Sequence, residues 1–177
     1  RFMSLFRSFR PVICKVHGFA VAGGSDIALC SDIVLMSEDA KIGYMPARVW
    51  GCPTTAMWVY RLGPEKAKRM LLTGDVIDGR EAEHMGLIYK AVPAGELDEQ
   101  AEKYAQRMAS VPVNQLMMQK LMINQAYENM GLRTTQMFAT LFDGMTRHSP
   151  EGLAFKRRAE RVGWKQAVRE RDLGTYD

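Results

Sequence analysis

A chain of 177 residues, 47% hydrophobic and 25% charged, has enough apolar side chain for a core and too much for a disordered tail. Its net charge of +4 suits an anionic ligand as well as nucleic acid, so charge excludes neither. No apolar run reaches the ~20 residues of a membrane-spanning helix, and the opening RFMSLFRSFRP lacks the apolar stretch and cleavage site of a signal peptide. Cys14, Cys30 and Cys52 are an odd set without C-x-x-C spacing. They read as thiols in a reducing compartment, which makes a cytoplasmic location the expectation. His17, His84 and His148 show no ligand spacing, so no metal site is expected.

In chain order, MSLFRSF reads as the end of an amphipathic helix, stopped by Pro11. VICKVHG, from Val12, has the β-branched, apolar character of a buried strand. GGSDIALCSD, from Gly23, reads as a turn into a short helix with Ser25 and Asp26 at its start. DIVLMSEDA is a second buried strand, and KIGYM a short third one. From Thr54 the period changes. TTAMWVYRL is a helix, Gly63-Pro64 breaks it, and a second helix runs to Gly74. DGREAEHMGL is a short helix, IYKAVP a strand, and ELDEQAEKYAQRMAS an amphipathic helix. Beyond Pro112 residues 113–130, 132–148 and 150–172 are all helical in pattern. Most of the 13 methionines sit on helices at core spacing and are expected as flexible core filler. Trp50 and Trp58 fit core packing or the wall of a pocket. The order predicts an α/β core followed by a helical region.

The glycine turn carries the chemistry. Backbone N–H groups at a helix start have no partner inside the helix and favour negative charge. A Gly23 placed where the helix opens can aim its N–H at an oxygen that becomes anionic, one half of an oxyanion hole. Glycine there lets a ligand approach the backbone. Asp26, on the first turn, then stands within a few ångströms of that ligand. The same residues also fit common helix grammar, with Ser25 as N-cap and Asp26 favouring the dipole. Competing motifs are absent: there is no G-x-G-x-x-G, no G-x-x-x-x-G-K-[ST] and no G-x-S-x-G. The basic stretches lack the interleaved aromatics of a single-strand binder, so no nucleic-acid partner is expected.

RPVICKVHGFAVAGGSDIALCSDIVLMSEDAKIG, from Arg10, resembles the signature of the enoyl-CoA hydratase/isomerase (crotonase) superfamily. The likeness continues through RLGPEKAKRMLLTGDVIDGREAEHMGLIYKAVPAGEL, with its Leu-Thr-Gly-Asp, Ala-x-x-x-Gly-Leu and Val-Pro. It runs from about Arg10 to Ala109, and the remainder with FKRR agrees more loosely. The resemblance implies a spiral of β-β-α turns over residues 1–109 and a helical oligomerisation region over 110–177. It implies homotrimers or hexamers and an acyl-CoA thioester as substrate, with coenzyme A entering as part of that substrate and no separate cofactor. Members carry roughly eighty to a hundred residues upstream, which supply a second oxyanion donor and most CoA contacts. This chain is therefore expected to be the later part of a longer protein, with strand edges that an earlier turn would pair.

Carried over residue by residue, the resemblance makes Gly23 an oxyanion donor and Asp26 the first catalytic acid, one methylene shorter than the family glutamate. Aligning Pro46 with the family proline puts Ala47 where the second glutamate belongs, and a methyl group neither holds water nor passes protons. Tyr44 or Arg48 is a candidate to fill that gap. Lys156 and Arg158 match the basic position that reaches CoA phosphates in relatives. The expected function is that of an enoyl-CoA hydratase-like lyase. The alternatives are an isomerase, a hydrolase or a C–C bond-cleaving enzyme on the same scaffold, or a non-catalytic CoA-binding or assembly subunit. Burial beside an acyl chain would raise the Asp26 pKa and the helix start would lower it.

Overall fold

The computed structural model describes residues 2–175. After a short 3-10 turn (Phe2–Ser4), the chain steps between two small sheets. Strand β1 (Ile13–Val16) leads through His17 and Gly18 into β2 (Phe19–Val21), which lies in the other sheet. Gly18 takes φ +67°, the left-handed conformation that makes so tight a corner cheap. Helix α1 (Gly23–Leu29) returns the chain to β3 (Ile33–Ser37) beside β1, and β4 (Lys41–Gly43) follows beside β2. Two such β-β-α turns therefore stack, each giving one strand to each sheet.

A 3-10 turn (Met45–Arg48), α2 (Met57–Leu62) and α3 (Pro64–Thr73) come next. Strand β5 (Val76–Asp78) pairs antiparallel with β4. After α4 (Gly79–Met85), β6 (Lys90–Val92) pairs parallel with β3. The sheet orders are β1-β3-β6, all parallel, and β2-β4-β5. Strands β1 and β2 lie at sheet edges, and Phe19 on β2 is largely exposed.

Strand β3 explains its own composition. Val34 and Met36 face the main core, whereas Leu35 faces a second cluster with Val92, Leu97 and Ala101. Covered on both faces, the strand shows a continuous apolar run with no alternation. The second cluster is closed by α5 (Leu97–Ala109). The main core gathers Leu29, Cys30, Val34, Met36, Ile42, Met57, Trp58, Met70 and Leu87 from both sheets and α1–α4. The three cysteines are all free thiols.

Four helices follow: α6 (Val113–Asn129), α7 (Leu132–Thr146), α8 (Pro150–Val162) and α9 (Trp164–Leu173). Gly163, at φ +86°, splits α8 from α9. Helix α6 is fastened to the start of the chain by one buried ammonium. Lys120 Nζ donates to Leu5 O (3.0 Å), Arg10 O (3.1 Å) and Asp32 Oδ2 (2.7 Å). A buried charge is tolerable only with such a set of partners.

The expectation that methionine fills the core holds only for part of the chain. Met36, Met57, Met70 and Met85 are buried, but Met118, Met122, Met130, Met137 and Met145 are exposed. The exposed group belongs to α6, α7 and the turn between them, where helical spacing defines a face that nothing among the described residues covers. Among the described residues no helix is long and apolar enough to cross a membrane.

Candidate active site

Ala22 holds the centre of the site in an unusual conformation, φ 53° and ψ −121°. These are the angles of the first central residue of a type II′ turn, where glycine is normal. A non-glycine residue there is strained by about 1–3 kcal/mol and persists only when its surroundings fix it. They do. Ala22 N donates to Gly43 O (3.1 Å), which extends the β2–β4 ladder. Its carbonyl accepts from Asp26 N (3.2 Å) and Ser25 Oγ (2.7 Å). Ser25, a candidate N-cap from sequence, is instead the third residue of α1, and Ala22 takes the cap position.

In the trans peptide linking Ala22 to Gly23, the N–H points opposite to the carbonyl. The carbonyl is turned into the helix, so the Gly23 N–H is turned out of it. No hydrogen bond among the described residues engages that N–H. Gly23 lines a cavity of about 400 Å³ together with Ala22, Asp26, Tyr44, Pro46, Trp50, Asp143 and Arg147, among others. That volume is within the range of small-molecule pockets.

Asp26 is 3% exposed. Its Oδ1 accepts a 2.5 Å hydrogen bond from the Thr55 hydroxyl, which is itself buried. Thr55 is positioned in turn by Gln136 of α7, whose amide donates to Thr55 O (2.9 Å). Burial, above all, pushes the Asp26 carboxyl up to about 6; the Thr55 bond acts the other way, and the charge of Asp143 adds to the rise. The burial foreseen from sequence thus raises the carboxyl, and the opposing pull comes from the Thr55 hydroxyl. A carboxyl poised near neutrality is able to take up and release a proton at physiological pH.

The opposite wall comes from the C-terminal helices. Asp143 Oδ1 on α7 accepts the Cys52 N–H at 3.1 Å, and Arg147, one turn on, donates to Oδ2 at 3.0 Å. The Arg147 guanidinium lies over the Trp50 ring, 5.5 Å from its centroid. Trp50 packs edge-on against Phe155 of α8 (5.3 Å) and Trp164 of α9 (5.9 Å), so these helices close the pocket. Tyr44 also faces the cavity, and its hydroxyl donates to Cys52 O at 3.0 Å. Burial first, then the Asp26 and Asp143 charges, push the phenol well above its ordinary pKa, so it stays a neutral donor.

Of the residues singled out from sequence, Gly23, Asp26, Tyr44 and Trp50 meet in one cavity. Trp58 does not join them; it is fully buried in the core. Ala47 packs against the core and Pro46 takes its place on the wall. Arg48 lies against Gly74, not in the cavity. Lys156 and Arg158 do not line it either. Lys156 is exposed beside Glu160 (4.0 Å), while Arg158 makes a two-pronged ion pair with Glu170 (both 2.8 Å) that ties α8 to α9. That pair holds the Glu170 carboxyl down to about 2. Sequence reading missed Asp143, Arg147 and Thr55. No local pattern marks them, since Asp143 and Arg147 look like an ordinary i,i+4 pair on a helix surface. Among the described residues no group of His, Cys, Asp and Glu is arranged to hold a metal ion.

Comparison with known proteins gives one answer. The family model described as enoyl-CoA hydratase/isomerase matches residues 1–166. The crystal structure of an enoyl-CoA hydratase from Mycobacterium smegmatis superposes with a TM-score of 0.94 at 48% identity, covering 98% of this chain and 60% of that one. An enoyl-CoA hydratase/isomerase structure from Xanthobacter autotrophicus Py2 gives 0.89 at 27% identity, covering 97% and 65%. The crotonyl-CoA hydratase of Syntrophomonas wolfei is 36% identical over 104 residues, which is 57% of this chain and 40% of that protein. The chain spans about 40–62% of the length of the curated relatives it matches.

Proposed function

The chain belongs to the enoyl-CoA hydratase/isomerase family, and on that premise we propose that it acts on an acyl-CoA thioester through an enolate held at Gly23. The thioester oxygen accepts the Gly23 N–H, and Asp26 exchanges the proton at the adjacent carbon. Negative charge developing on the oxygen meets a donor already oriented, which costs no reorganisation at the moment of reaction. This reading needs a second donor for the hole from outside the elements described, and β1 and β2 offer open sheet edges on which a further turn would pair.

One observation carries this reading: a buried carboxyl titrating near 6 shares a cavity with a backbone N–H that no hydrogen bond among the described residues engages. Lys156 is the better placed of the two basic candidates for a CoA phosphate, because Arg158 already serves Glu170. The division into a spiral core (1–109) and a helical oligomerisation region (110–177) is part of the same reading. It is supported by the exposed apolar side chains of α6 and α7, among them Met122, Ile123, Met137 and Leu141. The helical region is no mere appendage, since Asp143 and Trp164 reach into the cavity.

A second reading, movement of a double bond without water, is favoured by the packing of Ala47 into the core, which leaves the spiral itself with a single carboxylate at the site. The protein expressed from its complete gene, assayed with short trans-2- and trans-3-enoyl-CoA, separates the two: added water marks the first, a shifted double bond the second. Asp26→Asn cannot exchange a proton and is expected to lower either rate roughly 10²–10⁴-fold. Removal of the α-proton is expected to rise with pH and level off above about 6. Tight acyl-CoA binding with no turnover of any thioester would instead make the chain a non-catalytic binding subunit.

A further inference from the structure

We propose that Asp143, on α7, is the second carboxylate of the reaction and activates the water that adds to the substrate. The inference rests on the reading of Gly23 and Asp26 given above.

Asp143 is far from the glycine turn in sequence but lines the same cavity as Gly23 and Asp26. It is held from two sides. Cys52 N–H fixes Oδ1 at 3.1 Å, and Arg147 fixes Oδ2 at 3.0 Å while resting on the Trp50 ring. A carboxylate so restrained is pre-oriented, which is what a catalytic base needs. The loop below it is built for close approach. At Gly51, φ +148°, a Cβ would stand 3.1 Å from Pro46 Cβ and 3.3 Å from Asp143 Oδ1, so no side chain comes between them. The wall segment around Pro46 bears no acid, Ala47 being packed inward. Asp143 therefore supplies, from the helical region, the charge that this part of the wall lacks.

The step balances as follows. The Asp143 carboxylate takes a proton from water as the water oxygen bonds to the β-carbon of a trans-2-enoyl thioester. The C=C electrons move to the thioester oxygen, held at Gly23. As the enolate collapses, protonated Asp26 delivers its proton to the α-carbon. Asp143 has gained a proton and Asp26 has lost one, and exchange with solvent restores both. The product is a 3-hydroxyacyl thioester.

The test uses the protein expressed from its complete gene and two substrates. Hydration of trans-2-butenoyl-CoA requires both acids. Exchange of the α-proton of butanoyl-CoA in D₂O requires only Gly23 and Asp26. Asp143→Asn keeps an acceptor for Cys52 N–H and removes the base. It is expected to lower kcat for hydration roughly 100-fold while leaving KM and α-exchange within about 3-fold. Asp143→Glu, which keeps the base, is expected to hydrate at least about 10-fold faster than the Asn variant, and it serves as the second variant should Asn impair folding. A loss of hydration below about 10-fold in Asp143→Asn overturns the proposal. So does an equal loss of hydration and exchange, which would make Asp143 a structural residue. A wild-type protein that exchanges α-protons but never adds water overturns the role of Asp143 and leaves Asp26 standing. A wild-type protein that does neither removes the Gly23–Asp26 reading, and Asp143 falls with it.

Discussion

Methionine at helical spacing meets opposite fates in two regions of this molecule. Met70 of α3 is fully buried, whereas Met137 of α7 is 62% exposed, with Phe138, Leu141, Phe142 and Met145 exposed beside it. Both helices carry an apolar stripe. Helix α3 finds α2 and the Met45–Arg48 turn to pack on, and these lead into the sheets. The outward face of α7 finds nothing within the described residues. A helical period states which side chains share a face; whether the face is covered depends on a second surface. The two regions meet at one cavity: the spiral lines it with Gly23 and Asp26, and the helices with Asp143 and Trp164 while keeping an apolar face outward.

The sharpest way to break this contrast is a pair of truncations. Leu29→Ala, in the spiral core, is expected to cost about 2–5 kcal/mol in urea denaturation, through lost transfer energy and the cavity left behind. Met137→Ser, on the open face, is expected to stay within about 0.5 kcal/mol for the isolated chain. Equal costs would mean that the α7 face is already covered.

A smaller effect sits where the two regions meet. The Asp26 carboxyl has its pKa raised from 3.8 to about 6 in the folded state. Between those values the folded protein binds more protons than the unfolded one, so this group's contribution is fully present below about pH 4 and is lost as pH rises through 6. Asp26→Asn removes the cost of burying that charge. It is expected to raise stability at pH 7.5 by up to about 3 kcal/mol, with the gain vanishing near pH 4. A pH-independent ΔΔG would show that burial of the charge is not what sets this pKa.

The smallest effect tests the strained turn alone. Ala22→Gly is expected to stabilise by about 0.5–1 kcal/mol, because the relief of a positive φ outweighs the extra unfolded-state entropy of glycine. Thermal unfolding reads it directly. A loss of stability would mean that the Ala22 methyl group packs usefully.

Much of the fold was legible because its signals are local. Gly63-Pro64 and Gly74 mark real boundaries and the β-branched runs at Ile13 and Ile33 are real strands, but the helix expected to run up to Pro11 is only the Phe2–Ser4 3-10 turn, followed by turns and bends. Strands β2 and β5, three residues each, were not; β4 and β6 are equally short and were read from their apolar neighbours, since three residues alone cannot display a period. For the same reason Ser25 was read as a candidate cap: capping chemistry is local, but the strained turn at Ala22 is imposed by the β2–β4 ladder.

The kinship and the repeated β-β-α turns were legible in the sequence itself, because the motifs that carry them are runs of consecutive residues, and Gly23 and Asp26 entered from the same stretch as expectations. Only the tertiary structure decided that Asp143 shares their cavity, that Arg158 belongs to Glu170, and that burial outweighs the Thr55 hydrogen bond in setting the Asp26 pKa. Desolvation and Coulomb forces act through space, and no stretch of neighbouring residues records which distant side chains will share a cavity.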